Sequence, residues 1–304
     1  MHNKPPTSRR LIVCADDFGI SKEISDGIIL GHTKGIITST ALLMNAPYTQ
    51  YAVELSKNTP SLEVGLHLSV VEGYCLSGTD AKTLLDRENY FNNRPCLHKN
   101  WKQFLSKFLR RQISMIELER EFRLQIESFL LEVGRIPFLN STQHLHFLPR
   151  IGKLVLALCA EYGINNLRLP INIDRGEPFT TRKMQAQILK RLSQRQRKRF
   201  FKNNPSVDSP DLAFGFVGAG GLTKEHILNF LDQIGENEVA EIMAHPGFDS
   251  PTLRQSLPKS YENYNWQGEL NALLSHEVKE RMKSLEIELD KFNTREAHER
   301  VQND

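Results

Sequence analysis

Four polar groups in this sequence combine residue types that can do chemistry. Asp16 and Asp17 are adjacent, His67 stands inside an apolar run, His144 and His146 follow Asn140, and His245 precedes Pro246-Gly247. Two neighbouring carboxylates can divide labour, one binding a cation and the other taking a proton. Without a cation, one of two close carboxylates has a raised pKa. A neutral imidazole beside a carboxylate suits zinc or a similar divalent ion. Each group also has a plainer reading. Aspartate is a common helix cap, and a histidine in an apolar strand is commonly a hydrogen-bonded core residue. His144 and His146 fit a polar loop, and His245 fits a turn residue bonded to the backbone.

The elements around these groups decide between the readings. Leu11 to Ala15 is an unbroken apolar run, as in a strand buried on both faces. Ser21 reads as an N-cap, Ile24, Ile28 and Ile29 keep helical spacing, and Gly35 stands where a helix ends. Thr38–Leu43 and Leu62–Leu68 read as strands two and three, with a helix over Tyr48–Lys57. Residues 69–100 are polar, carry Gly73, Gly78 and Pro95, and show no period, so a long loop is expected there. Helices follow over Trp101–Gln112 and Met115–Val133, the second with a capping box from Ser114 and Glu117. Phe138–Asn140 and Asn166–Leu169 read as strands around a helix over Pro149–Tyr162. Leu212–Val217 and Glu238–Ala244 read as strands around a helix over Thr223–Ile234. The chain from Glu269 reads as helical.

Alternation of strands and helices implies parallel strands with helical crossovers. In such folds functional residues gather at the carboxyl ends of strands. All four polar groups fall there. If 140–146 is extended, Thr142, His144 and His146 share a face.

Composition removes several classes. The 304 residues carry 39 Lys+Arg against 36 Asp+Glu, a net charge of +3, which excludes a chain basic throughout. Nine of those cations, and no acidic residue, lie between Thr181 and Asn203. The rest of the chain is therefore mildly acidic. The basic segment reads as a solvated helix face, or as contact with an anionic surface. Its aromatic content is low, so no nucleic acid is expected. Cys14, Cys75, Cys96 and Cys159 form no CxxC, which removes a thiolate zinc knuckle and suits a reducing compartment. No apolar stretch is long enough to span a bilayer or form a signal-peptide core. The expected architecture is one α/β domain over 1–292, a single-domain distorted (β/α) barrel of mainly parallel strands, with a charged, frayed tail over 293–304. The expected location is the cytoplasm, and a homodimer is compatible.

Ala15-Asp16-Asp17-Phe18-Gly19, Gly65-Leu66-His67, Gln143-His144-Leu145-His146 and His245-Pro246-Gly247 together resemble, in order and spacing, the YdjC/ChbG-like carbohydrate deacetylases. Within them the pattern is most similar to the hopanoid-linked, HpnK-like branch. Gly35–Thr40, Leu167–Pro170 and Gly221–Thr223 add smaller matches. The resemblance runs from about Leu11 to Gly247. It implies a NodB/YdjC-type barrel and metal-assisted removal of acetyl groups from N-acetylated sugars or glycolipid head groups. It implies Asp17 and His67 as ligands of a divalent ion, Mg or Zn, and Asp16 as general base. It implies His245 as proton donor to the leaving amine, and Arg168 and His146 as substrate contacts. The family's third ligand position, a histidine, is occupied here by Thr142, and the aspartate before it by Asn140. His144 is the replacement ligand the sequence offers.

The leading reading is therefore a metal-dependent carbohydrate N-deacetylase. The alternative is a non-catalytic sugar-binding descendant of that family. A phosphorelay receiver also carries an acidic pair after strand one, but it needs an aspartate after strand three, where this chain has His67.

Overall fold

The computed structural model describes residues 8–91, 94–99, 101–173, 181–203, 209–216 and 218–293. Its strands are β1 (Arg9–Phe18), β2 (Ser39–Leu42), β3 (Glu63–Leu68), β4 (Leu85–Phe91), β5 (Arg94–Leu97), β6 (Leu139–Ser141), β7 (Asn172–Ile173), β8 (Leu212–Phe214), β9 (Val239–Ala244) and β10 (Ile287–Leu289). Its helices are α1 (Lys22–Lys34), α2 (Thr49–Lys57), α3 (Trp101–Leu109), α4 (Met115–Glu132), α5 (Pro149–Glu161), α6 (Thr181–Asn203), α7 (Lys224–Leu231), α8 (Pro251–Ser256), α9 (Trp266–Leu274) and α10 (His276–Ser284).

The main sheet runs β6-β3-β2-β1-β9-β8-β7, with β10 paired to the start of β1. Every pairing in it is parallel. The segment 166–173 touches both edges of the curl: Leu167 bridges Leu139 of β6, and β7 pairs with β8. The result is the expected distorted barrel. Residues of β1, β3 and β9 are buried along almost their whole length, because helices cover the outside and side chains fill the lumen.

Ile12, Cys14, Ala41, Phe138, Val239 and Phe292 form an apolar cluster separate from the larger core. Phe292 stacks on Phe138 with ring centres 4.0 Å apart and closes the far end of the lumen. Glu63 accepts there from Ser39 Oγ and from the Phe292 and Asn293 backbone N–H groups. Gly65 makes room for Phe138, since a Cβ on it would lie 2.5 Å from the ring.

The expected caps form in part. Ser21 accepts from the Ile24 N–H, and Ser114 from the Glu117 N–H. The Glu117 carboxylate turns instead to the Thr83 N–H and hydroxyl, so the reciprocal half of the box is missing.

Three expectations are corrected. Residues 69–100 hold an antiparallel β4–β5 hairpin. Its strands pair with each other rather than joining the ring, so no continuous apolar run marks them. Asn166–Leu169 contributes one bridge, and the strand proper comes later as β7. The chain after α10 returns as β10, whose three residues bury only Ile287 and so leave almost no pattern. Of the expected tail, residues 294–304 lie outside the described residues, as does Val217. No helix among the described residues is long and apolar enough to cross a membrane.

Candidate active site

A cavity of about 390 Å³ opens at the carboxyl ends of the strands. Asp16, Asp17, His67, Thr142, His144 and His245 all line it. Adjacent strand residues normally face opposite ways, yet Asp16 and Asp17 reach one cavity. The reason is local: the β1–β2 register shifts between Ala15 and Phe18, and Asp17 adopts φ 66°. This bulge breaks the alternation.

Asp16 is 2% exposed. Its carboxylate accepts from Arg168 Nη1 at 2.6 Å, Arg168 Nη2 at 3.0 Å and Asn140 Nδ2 at 3.1 Å. Burial alone raises its pKa, but the Arg168 charge, His67 and the Arg168 hydrogen bonds outweigh it and hold Asp16 well below the usual carboxylate range. It is ionised throughout the neutral range and is correspondingly a weak base.

His67 Nδ1 lies 2.5 Å from Asn140 Oδ1. An amide oxygen cannot donate, so Nδ1 carries the proton. The Asn140 amide is oriented by donating its own N–H to Asp16. Nε2 then faces Asp17 Oδ1 at 3.6 Å. Burial lowers the His67 pKa, and the Asp16 and Asp17 carboxylates more than restore it, for a net rise. Tyr261 Oη donates to Asp17 Oδ2 at 3.4 Å.

The segment after Asn140 is not extended. Thr142–Phe147 is a tight helical turn in which Gln143 and His144 have φ 51° and 53°. The strand-like face expected for Thr142, His144 and His146 therefore does not exist, and the three residues go to different places. Thr142 donates its hydroxyl to Ser69 Oγ at 3.2 Å. His144 stacks on Phe216, ring centres 4.3 Å apart, with Nδ1 buried and unpartnered. Burial keeps its ring neutral by pushing the pKa well below the ordinary value. His146 is packed beneath the cavity, Nε2 donating to the Arg168 carbonyl at 2.8 Å and Nδ1 2.6 Å from Ser141 Oγ. Burial pushes its pKa down to about 3, so it is a neutral structural tie away from the cavity wall.

Arg168 is likewise beneath the wall, fully buried. Its Nε donates to Glu241 Oε1 at 2.6 Å while its other two nitrogens hold Asp16. Contact with substrate is thus replaced, for Arg168, by contact with the carboxylate expected to do chemistry. His245 reaches the cavity because Gly247 packs on α1 at Gly27, where a Cβ would lie 2.5 Å from Gly247 Cα. The His245 N–H donates to Glu269 Oε2, Nδ1 is buried without a partner, and Tyr264 meets the ring edge-on at 5.3 Å.

Sequence reading missed Glu241, Glu72 and Tyr261. Glu241 had a signal: it is the one charged residue in the apolar run Val239–Ala244. Its pKa is pushed up to about 7, mainly by burial, against the lowering effect of Arg168. Glu72 lines the cavity at φ 64° and accepts from Ser260 Oγ at 3.1 Å. Burial and then the Asp17 charge push it up to about 7. Nothing in the polar stretch around it, or around Tyr261, marked either.

Among the described residues no three His, Cys, Asp or Glu side chains cluster closely enough to hold a metal ion. Asp17 and His67 present two acceptors to each other, which fits a cation that keeps most of its own water. It does not fit a closed tetrahedral zinc site.

Buried carboxylates and imidazoles at the carboxyl ends of a parallel barrel define an α/β-barrel protein equipped for hydrolytic chemistry. The chain belongs to the YdjC-like protein family, which it matches over residues 10–284. It is 30% identical over 284 residues to a carbohydrate deacetylase of Clostridium beijerinckii, covering 93% of this chain and 98% of that one. It is 30% identical over 288 residues to a chitooligosaccharide deacetylase of Yersinia enterocolitica, with the same coverage. A solved structure from Enterococcus faecalis V583, described as a cellobiose-phosphate cleavage protein, superposes with a TM-score of 0.73 at 24% identity. It covers 95% of this chain and 99% of that chain, and it shows the same fold.

Proposed function

We propose that this chain hydrolyses the acetamide of an N-acetylated sugar. The observation that carries the reading is Asp16, ionised and clamped by Arg168 and Asn140 on the cavity floor beside the Asp17–His67 pair. The names of the two relatives support the substrate class.

Asp16 would take the proton of the attacking water, its low basicity offset by a position fixed by three hydrogen bonds. His245, which lines the cavity, would protonate the leaving amine. Asp17 and His67 would hold a divalent ion, magnesium more readily than zinc, whose contribution when bound is to polarise the acetyl carbonyl. His144 stacks on Phe216 rather than completing that ligand set, and in this proposal it lines the sugar site. The apolar side of the cavity, with Leu105, Leu148, Leu189 and Leu192, supports a lipid-carried sugar as well as a free one. Membership of the hopanoid-linked branch belongs to the same proposal.

The test is acetate release from N-acetylated chitooligosaccharides by purified protein with and without added magnesium or zinc. Release that disappears in Asp16→Asn is the expected result. No release from any N-acetyl sugar under either condition overturns it.

Thr142 favours a second reading, sugar binding without catalysis, because a hydroxyl bonded to Ser69 stands where the family has a ligand histidine. Calorimetry showing saccharide binding but no divalent-ion binding would select that reading.

A further inference from the structure

Two helices wall one side of the cavity, and an apolar stripe runs out of the cavity along each. On α3, Trp101 and Leu105 line the cavity, and Leu109, one turn further on the same face, is 69% exposed. On α6, Leu192 and Ile188 line the cavity; Ile188 is already 50% exposed, and Met184, one turn beyond, is 62% exposed. An aliphatic surface that begins inside a cavity and continues into solvent on two separate elements is not explained by the core of this fold. Large aliphatic side chains exposed together mark a contact with something apolar.

The same two elements are free of acidic residues. From Arg94 to Ile116 there are six Lys or Arg and no Asp or Glu, and α6 has nine and none. Lys102, Arg110 and Arg111 are exposed at α3, as are Arg191, Arg195, Lys198 and Arg199 on α6. Arg191 and Arg195 stand three and seven residues from Ile188, on the flank of its stripe. The far face of α6 is tied down: Ser193 donates to the Pro170 carbonyl, and Arg197 to the carbonyls of Leu169, Ser209 and Pro210. The helix is therefore seated by one side and presents the other.

Aliphatic stripes bordered by cations match the interface of an anionic bilayer, where side chains enter the acyl boundary and Lys and Arg meet phosphate and carboxylate head groups. A nucleic acid would call for aromatic platforms, whereas Leu109, Met184 and Ile188 are aliphatic.

We propose that the α3–α6 face docks this protein onto an anionic membrane surface, with the mouth of the cavity turned toward the lipid. The docking itself stands on the two helices. Only its consequence, delivery of a lipid-carried N-acetyl sugar to the cavity, rests on the deacetylase reading.

The test is co-sedimentation of the full chain with phosphatidylcholine vesicles containing roughly 30% phosphatidylserine, against phosphatidylcholine alone. Binding is expected only with the anionic lipid, and it should fall steeply above about 0.3 M salt. Leu109→Asp with Met184→Asp, and separately Arg110→Glu with Arg111→Glu, should each lower partitioning roughly tenfold or more. None of these four residues lines the cavity, so acetate release from a soluble chitooligosaccharide should be unchanged in both variants. That assay also separates the two ideas, because failure to sediment with activity retained sinks the docking alone. Absence of vesicle binding, equal binding to neutral vesicles, or binding to soluble heparin that matches vesicle binding and ignores the aspartate substitutions would each overturn the proposal.

Discussion

The barrel lumen just beneath the site and the rim just above it are built on opposite terms. In the lumen, Arg168 is buried between Asp16 and Glu241, Asn140 bonds both Asp16 and His67, and His146 is tied at both ring nitrogens. At the rim, His144 and His245 each leave a ring nitrogen unpartnered, and Thr142 is spent on Ser69. The lumen is a linked network centred on Arg168, with Glu241 Oε2 left without a partner, while at the rim the His144 and His245 rings each keep one nitrogen uncommitted. Unpartnered buried polar atoms cost stability, and His144 and His245 both line the cavity that a ligand would fill.

The largest effect should come from breaking the lumen. Arg168→Leu leaves Asp16 and Glu241 buried without their cation and should cost about 3–5 kcal/mol in a urea titration. If the variant unfolds at the wild-type midpoint, the network is not what holds this end of the barrel. Asp16→Asn keeps the side-chain volume and removes the charge, so acetate release should fall by about 10²–10⁴-fold with a smaller loss of stability. A variant that keeps its rate moves the base elsewhere on the rim.

Thr142→His tests the rim directly. A third ligand, a second imidazole beside Asp17 and His67, should raise divalent-ion affinity by about tenfold or more in calorimetry, with little change in melting temperature. An unchanged affinity would mean that the turn at Gln143 and His144 holds position 142 away from the pair.

His146 sharpens the contrast through pH. Its folded pKa lies at about 3, below the unfolded value near ~6.5. The folded state therefore binds fewer protons between these limits, and stability is lost as pH falls through that window. His146→Gln should flatten that part of the pH–stability curve, measured by chemical denaturation. The smallest effect belongs to a site outside both regions: Leu109→Asp should change stability by no more than about 0.5 kcal/mol.

How much of this was legible in the sequence varies with the range of the interaction. Asp16, Asp17, His67 and His245 could be placed at strand ends because apolar runs and turn residues fix element boundaries locally. The parallel barrel followed from the alternation of those elements. Arg168 and His146 were legible as residues near the site but not as residues beneath it, because a strand pattern does not say which side of a ring faces the lumen. Glu72 and Tyr261 come together across 189 positions, and no local rule connects them.

By itself, the sequence determined the order of strands and helices, the polar groups at their ends and the threonine at position 142. These depend on the chemistry of adjacent residues. Tertiary structure alone decided that a bulge at Asp17 turns both aspartates into one cavity and that Arg168 grips Asp16 instead of meeting substrate. It also decided that left-handed Gln143 and His144 dissolve the shared histidine face. Each of those outcomes depends on groups distant in the chain competing for the same space and the same hydrogen bonds. That competition is settled only when the barrel closes.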